Sequence, residues 1–509
     1  MPQQAHIDDA SVRAVLQSPR LLRREVLAGL VVALALIPEA ISFSILAGVD
    51  PRVGLFASFT MAVSIAFLGG RPAMISAATG AIALVIAPVA AKHGLDYLLA
   101  TVILGGLMQV AFGLAGTAQL MRLLPRSVMV GFVNALAILI FLAQLPHLGV
   151  DLHDGIHLGG VPWIVYPMVA AGIAIMVLLP KITTAVPAPL VAIVLLTVLV
   201  LAGGMSVPNV SDEGELPSSL PSLLIPDVPF TFETLQIIAP YAFAMAMVGL
   251  LESLMTAKLV DDVTDSHSNK HRESWGQGAS NVITGFFGGM GGCAMIGQTM
   301  INVKASGARS RVSTFLAGVF LLVLVVGVGD IVGKIPMAAL VAVMIIVAVG
   351  TFDWHSLAPA TLRRLPKSEN LVMLTTVIFV VATHNLAIGV SAGVVLAFML
   401  FARRVYHLVG VERELIEEAD GSAYVRYTVT GELFFASSND LVYQFEYLDD
   451  PERVVIDLTE AHLWDASTIA ALDGIETKYE RKGKKVEIVG LNEASSHMHE
   501  RLTGQLATH

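Results

Sequence analysis

The sequence is short of charge and of cysteine. Only 14% of its 509 residues are charged, whereas soluble domains carry about a quarter. The single cysteine, Cys293, excludes a disulfide framework and a thiolate metal cluster. The net charge of −10 argues against nucleic acid as a partner. Phosphate-binding loops, metal-ligand clusters and nucleophile motifs are also missing, so we expect no enzyme, no metal, no cofactor and an energy source other than ATP.

What the sequence has instead is apolar blocks. Hydrophobic residues make up 55% of the chain, and the mean hydropathy is +0.73. Many blocks reach the ~20 residues that a helix needs to cross ~30 Å of hydrocarbon. We predict fourteen membrane segments, of which the third and tenth are too short to cross alone. They lie near residues 25–47, 51–68, 78–92, 95–117, 125–146, 161–180, 187–204, 234–258, 275–290, 295–307, 311–329, 335–350, 370–385 and 387–405.

Basic residues give the orientation. Lys and Arg concentrate in alternate loops, as they do in cytoplasmic loops, whereas the opposite loop 205–230 has none. An even number of segments with both termini in the cytoplasm explains this pattern. We therefore expect an integral protein of the plasma membrane (the inner membrane in a bacterium), with a cytoplasmic tail at 1–24 and a membrane domain at 25–405.

The composition changes after Arg404, because charged residues become frequent and apolar runs shorten to strand length. Strands alternating with a helix predict a small cytoplasmic α/β domain at 410–509. The predicted elements are strand and turn at Tyr424–Thr430 and Gly431–Phe435, buried strands at Val454–Leu458 and Val486–Val489, and a helix at Ser467–Arg481.

Two glutamates lie inside apolar segments. Glu39 follows Pro38, which we expect to break the first segment, and Glu252 lies in the eighth beside Ser253 and Thr256. A carboxylate at mid-bilayer costs ~2.5–3.5 kcal/mol, so it is rarely kept without a role or a partner. The alternative to a functional role is a structural hydrogen bond between helices. Function is favoured for Glu252, and the two interpretations are balanced for Glu39.

Two segments rich in small residues, Ser76–Ala83 and Gly289–Thr299, precede the short third and tenth helices. A helix that starts inside the membrane presents free N–H groups and about half a positive charge, which favours an anion. Close helix packing is the alternative for each segment alone. However, both the short helices and the glutamates are seven segments apart, and halves with an odd number of crossings are inverted. Interrupted segments at matching positions of inverted halves indicate the binding site of a transporter.

Several stretches together resemble the sulfate permease (SulP) family of anion transporters with a C-terminal STAS domain. The resemblance covers nearly the whole chain. The family's span signatures are matched by Pro38–Gly48, Ser76–Ala81, Gly131–Leu145, Glu252–Thr256 and Asn302–Gly307, and a STAS domain by Val454–Leu458 with Asp465–Thr468.

The resemblance implies a seven-plus-seven inverted repeat, with segments 1–4 and 8–11 as a core and 5–7 and 12–14 as a gate. It also implies a homodimer and a substrate site between the ends of segments three and ten. Glu252 and Thr256 would serve the coupling ion. The substrate residues implied by the motifs are Glu39, Phe43, Thr79, Gly80, Ala81, Ile296, Gly297 and Gln298.

Four positions refine this expectation. Many relatives carry Gln where Glu39 stands and several carry Arg near Gln298, which argues against plain sulfate selectivity. Sodium-coupled relatives carry Asp at the position of Glu252, so Glu favours a proton over sodium. Ser467 matches a serine that is phosphorylated in some STAS domains, although Asp465 or Ser467 as an ordinary helix cap is favoured.

The sequence hypothesis is therefore proton-coupled uptake of a small anion by alternating access. An anion exchanger or channel-like conductor and a sodium-coupled bicarbonate carrier remain alternatives. A different class of function is signalling, with the STAS domain binding a cytoplasmic protein. Sulfate, bicarbonate, chloride and dicarboxylates all suit the predicted site.

Overall fold

The computed structural model describes residues 11–116, 125–151, 157–158, 161–183, 187–383, 385–406, 409–417 and 423–503. The chain divides into two compact units, Met1–Val394 and Val395–His509. The division falls within the last helix of the apolar part, slightly before the boundary predicted from composition. Residues 1–10 of the predicted tail lie outside the described residues.

In its described residues, the first half of the membrane unit holds eight α-helices. They are α1 (Val12–Gln17), α2 (Pro19–Leu46), α3 (Pro51–Leu68), α4 (Gly80–His93), α5 (Leu95–Leu114), α6 (Arg126–Leu142), α7 (Val165–Ile182) and α8 (Ala188–Gly203). Strand β1 (Ser76–Ala77) precedes α4, and a short hairpin of β2 (Val150–Asp151) and β3 (His157–Leu158) follows α6.

The second half repeats this pattern of long and short helices. It contains α9 (Phe232–Thr264), α10 (Lys270–Phe286), β4 (Cys293–Ala294), α11 (Ile296–Met300) with a π-helical turn at Ile301–Ala305, α12 (Arg311–Val332), α13 (Met337–Thr351), α14 (Pro359–Arg364), α15 (Lys367–Thr383) and α16 (Leu386–Tyr406).

A helix stands at each of the fourteen predicted positions. Among the described residues, six helices are long and apolar enough to cross a membrane, and four shorter helices are apolar. Outward apolar side chains agree with a lipid environment, since Leu178, Ile182 and Val198 on α7 and α8 are exposed. The third and tenth segments are short, as expected: α4 has 14 residues and α11 has five before its π-helical turn.

The predicted break at Pro38 is wrong. Helix α2 continues through Pro38 to Leu46, and the Pro38 carbonyl accepts a hydrogen bond from the Ser42 hydroxyl at 2.8 Å. A proline removes one backbone donor from the ladder, but ending the helix inside a membrane would leave several more groups unpaired. Glu39 therefore lies on a continuous helix.

The helices of this unit pack in two groups. Helices α2–α5 and α9–α12 contact one another most, and α6–α8 with α13 and α15 form the other group. The first group holds the helices of predicted segments 1–4 and 8–11, and the second those of segments 5–7, 12 and 13. The division into core and gate, with segment 14 in the gate, stays a prediction. Contacts of α2 with α13 and of α4 with α6 join them.

The second unit is a small α/β domain. Its sheet has the order β5 (Gly410–Glu417), β6 (Ala423–Leu433), β7 (Arg453–Leu463), β8 (Lys485–Val489); β5 and β6 are antiparallel and the remaining pairs parallel. Helices α17 (Phe435–Leu441), α18 (Ala466–Glu480) and α19 (Glu493–Leu502) complete it.

The predicted turn after Thr430 is wrong, because β6 continues to Leu433. Gly431 has a φ of +102° and pairs with Ala461 next to an irregularity in the β6–β7 register. Glycine adopts such a conformation without steric cost, so the strand bends and goes on instead of ending. Phe435 then begins α17.

Candidate functional site

A cavity of about 380 Å³ lies in the membrane unit between the two groups of helices. All eight predicted substrate residues and Glu252 line it, although they come from four separate helices. The structure thus brings together side chains that the sequence predicts for one site. Their role in binding stays a prediction.

A pair of very short strands holds the two interrupted segments together. Ser76 and Ala77 of β1 pair antiparallel with Ala294 and Cys293 of β4. The N–H of Met295 donates to the carbonyl of Ile75 at 2.9 Å, which extends this pairing. As a result, the first turns of α4 and α11 lie on the same cavity.

The absence of a side chain at Gly80 allows close packing in the cavity wall. A Cβ atom on Gly80 would lie 2.9 Å from Cε1 of Phe43 and 3.2 Å from Cδ1 of Ile140. Gly297 differs, because a Cβ atom there would meet no heavy atom within 4 Å. Phe43, on the core helix α2, therefore packs directly on the start of α4.

Glu39 is 8% exposed, and its carboxyl group has the side chain of Gln298 as a hydrogen-bond partner. This contact joins α2 to the first turn of α11. Because both residues line the cavity, the pair presents one carboxyl and one amide to any occupant.

Glu252 is partly buried and has a different partner. Sγ of Cys293 lies 2.9 Å from Oε2 of Glu252 and donates to it. The same sulfur lies 3.1 Å from Oγ1 of Thr79, the N-cap residue of α4, which accepts from the N–H of Ile82. Cys293, the single cysteine of the chain, thus connects the eighth segment to the third. Sequence reasoning missed this role, since a lone cysteine carries no pattern.

Thr256 does not line the cavity. Its hydroxyl donates to the Glu252 carbonyl at 2.8 Å, within α9. Its neighbour Ser253 accepts from the N–H of Ala294 at 3.1 Å, so this stretch of α9 also anchors β4. A role of Thr256 in ion coupling stays a prediction.

Helix α10 carries a buried polar face that sequence reasoning also missed. Gln277 donates to Oγ of Ser76 at 2.6 Å and to Glu273 at 2.9 Å. Asn281 accepts from the N–H of Gly292 at 2.8 Å and donates to its carbonyl at 3.0 Å. The available signal was polar residues four apart: Glu273 just before the predicted ninth segment, and Gln277 and Asn281 within it. This face fixes the backbone in front of both short helices.

The opposite wall comes from the second group of helices. Apolar and small side chains of α6 and α13 complete the cavity, and so do two methionines next to predicted residues. These additional lining residues are Phe132, Val133, Leu136, Ile140, Met255, Met295, Val347, Gly350 and Thr351. No pattern in the sequence separates them from ordinary helix packing.

The titratable side chains that line the cavity are all acidic among the described residues. Two carboxyl groups, Glu39 and Glu252, reach the cavity, and none of the described lining residues is Lys, Arg or His. Positive potential comes instead from backbone N–H groups at the first turn of α4, where the helix dipole favours an anion. In the described part of the chain, no three His, Cys, Asp or Glu side chains group as metal ligands would.

Ser467 lies in the second unit, exposed in the first turn of α18. Asp465 caps this helix by accepting from the N–H of Thr468 at 3.1 Å. Asp465 is therefore the cap, and phosphorylation of Ser467 stays a prediction.

Comparison with known proteins gives concordant results. Residues 22–376 match the sulfate permease family, and residues 416–504 match the STAS domain. The chain is 53% identical over 474 residues to the putative sulfate transporter YbaR of Bacillus subtilis, covering 93% of this chain and 95% of YbaR.

Two solved structures are similar in fold. The transmembrane domain of the cyanobacterial bicarbonate transporter BicA has 26% identity and a TM-score of 0.65, covering 72% of this chain and 97% of that one. Murine Slc26a9, an anion transporter in the inward-facing state, has 16% identity and a TM-score of 0.78, covering 94% and 87%.

Proposed function

The chain belongs to the sulfate permease family of anion transporters, and on that premise we propose that it takes up a small anion together with a proton. Its relatives are transporters and not enzymes, and its membrane unit has the fold of BicA. The anion and the coupling ion belong to the proposal. Uptake would proceed by alternating access, with the core group of helices moving against the gate group.

The observation that carries the proposal is a cavity with two carboxyl groups and no lining cation among the described residues. Two ionised carboxylates would repel an anion in a medium that screens charge poorly. Burial favours the neutral form of a carboxyl group, so a proton and an anion bind best together. The N-terminal turn of α4 supplies the remaining attraction.

Within the site, Glu252 would carry the coupled proton, because it contacts both β4 and, through Cys293, the cap of α4. Gln298 and the neutral form of Glu39 would orient the anion, and Phe43 would pack over it beside Gly80. Thr79, Ala81, Ile296 and Gly297 would form the floor.

The test replaces Glu252 in full-length protein reconstituted into proteoliposomes. Glu252→Gln keeps the volume and the hydrogen-bonding capacity but cannot release a proton, so uptake driven by a pH gradient should fall to background. Glu233→Gln, at the exposed start of the same helix, should retain it. Wild-type accumulation by Glu252→Gln would remove Glu252 from the coupling role.

The transported anion can be identified by an uptake assay in which sulfate, bicarbonate, chloride and succinate compete with one another. Sulfate and bicarbonate are the first anions to test, because YbaR and BicA are named as transporters of these anions. Uptake into vesicles without internal anion separates symport from exchange, and replacement of sodium separates proton from sodium coupling.

We also propose a homodimer in the plasma membrane with both termini in the cytoplasm. The basic loops support the orientation of the termini. The STAS domain would regulate transport or bind a cytoplasmic protein. Deleting residues 410–509 tests the role of the STAS domain. Unchanged transport and unchanged regulation in the shortened protein would contradict that role.

A further inference from the structure

A chain of hydrogen bonds leads from Glu252 to the cavity wall at the start of α4. It runs from the carboxyl of Glu252 to Sγ of Cys293 (2.9 Å) and on to Oγ1 of Thr79 (3.1 Å). Thr79 also accepts from the N–H of Ile82, and it lines the cavity. Cys293 is fully buried.

The direction of these bonds depends on the proton of Glu252. An ionised carboxylate only accepts, so the Cys293 S–H must point to it. The sulfur can then accept the hydroxyl hydrogen of Thr79. In this state the only hydroxyl donor of Thr79 is used inside the protein.

A neutral Glu252 allows the opposite direction. Its O–H can donate to the sulfur, and the Cys293 S–H can then donate to Oγ1 of Thr79. A hydroxyl oxygen accepts two hydrogen bonds, so Thr79 can hold both the thiol and the N–H of Ile82. The hydroxyl hydrogen of Thr79 is now free to turn into the cavity.

We propose that Cys293 is a positioning residue that releases the Thr79 hydroxyl to the anion only when Glu252 is protonated. The inference rests on the proposed function and supplies its missing link, since it couples the proton to the anion without direct contact. Apart from the proton that Glu252 gains from solution, no covalent bond changes. The two hydrogen bonds of Cys293 reverse together, and the bond from the N–H of Ile82 to Thr79 stays as it is. The ligand that benefits is an anion with an oxygen or halide acceptor.

Other titratable groups stand apart from this chain. Glu39 on α2 is the second acid of the cavity wall. Helices α4, α5, α10 and α11 pack against α9, and α6 faces the cavity from the other side. Their titratable side chains, none of which lines the cavity, are Lys92, His93, Asp96, Tyr97, Lys270, His271, Arg272, Glu273, Lys304 and Arg126.

The experiment measures KM at two external pH values with full-length protein in proteoliposomes. The probes are radiolabelled sulfate, bicarbonate, chloride and succinate, and the anion that wild type carries fastest is used throughout. We expect the wild-type KM to be about tenfold lower at about pH 6 than at about pH 8, the gain from one hydrogen bond to a charged group.

Cys293→Ala removes the link but leaves both ends in place, so its KM should differ by less than about twofold between the two pH values. Cys293→Ser supplies a hydroxyl that donates and accepts in either direction, so it should keep the wild-type difference. Thr79→Val should lack the low KM at acid pH, and Thr79→Ser should retain it. Thermal unfolding of each purified variant verifies the fold.

Each result decides between the alternatives. A wild-type pH difference in Cys293→Ala overturns the inference, even where Glu252→Gln still abolishes accumulation and so upholds the proposed function. Loss in both Cys293→Ala and Cys293→Ser also overturns it, because any relay should accept a hydroxyl. Absence of uptake of all four probes by wild type would overturn the proposed function itself.

Discussion

Ser76 and Ala294 are register partners in an antiparallel pair of strands, although one precedes the third segment and the other the tenth. This pairing sets two inverted parts of the chain against each other at the cavity. Residues next to the two strands therefore differ in what they contact, and replacing them should affect anion binding or stability to different degrees.

Gly80 and Gly297 form a matched pair of positions in the first turns of α4 and α11. Gly80→Ala forces its new methyl against Phe43 and Ile140, so we expect KM for the anion to rise by about tenfold or more. Gly297→Ala meets open space and should change KM by no more than about threefold. Uptake kinetics measure both, and an equal effect of the two changes would contradict the role of the Gly80 contact.

Glu39→Gln removes one negative charge and keeps an amide that can bond to Gln298. With less repulsion in a poorly screened site, the KM of the anion at about pH 8 should fall by about tenfold. Glu233→Gln serves as the control, because this side chain is exposed at the start of α9. A rise in KM for Glu39→Gln would instead assign the carboxylate a positive role in anion binding.

Asn281→Ala leaves the buried N–H and carbonyl of Gly292 without their partner. Unpaired buried groups cost about 1–3 kcal/mol each, so the free energy of unfolding should fall by that order. Thermal unfolding of the purified protein measures the loss, and Ser219→Ala in the exposed loop is the control. If Asn281→Ala unfolds at the wild-type temperature, α10 does not fix the strand before α11.

Tyr447 in the second unit gives a pH prediction. Burial raises the pKa of Tyr447 to about 12, and the nearby Tyr427 adds to this shift. The folded state therefore favours the neutral phenol, and its stabilisation is complete below the unfolded pKa of about 10 and lost as the pH rises through about 12.

The measurement is a tyrosinate absorbance titration of the full chain and of Tyr447→Phe. The difference between the two curves should have its midpoint near pH 12. A difference curve centred near about pH 10 would show that Tyr447 is not buried in solution.

Much of the membrane unit could be predicted from the sequence because hydropathy follows from local composition. Every predicted segment coincides with a helix, and the short third and tenth segments are short in the structure. Pro38 is the instructive exception. The local rule that proline ends a helix was overruled by the need to keep backbone groups paired in an apolar medium.

Some residues of the candidate site could be predicted from the sequence and others could not. Glu39, Glu252 and the small residues around Gly80 and Gly297 were predictable, since a polar or flexible residue in an apolar segment is conspicuous. Asn281 was less so, and apolar lining residues such as Phe132 and Val347 were not, because nothing distinguishes a cavity wall from a packed interface in sequence.

The sequence by itself determined which segments are apolar, where acids interrupt them and that a domain of different composition follows them. Only the tertiary structure decided that Cys293 lies between Glu252 and Thr79. The physical reason is range: hydropathy and helix propensity act over neighbouring residues, whereas a hydrogen bond between β4, α9 and α4 depends on how distant parts of the chain pack.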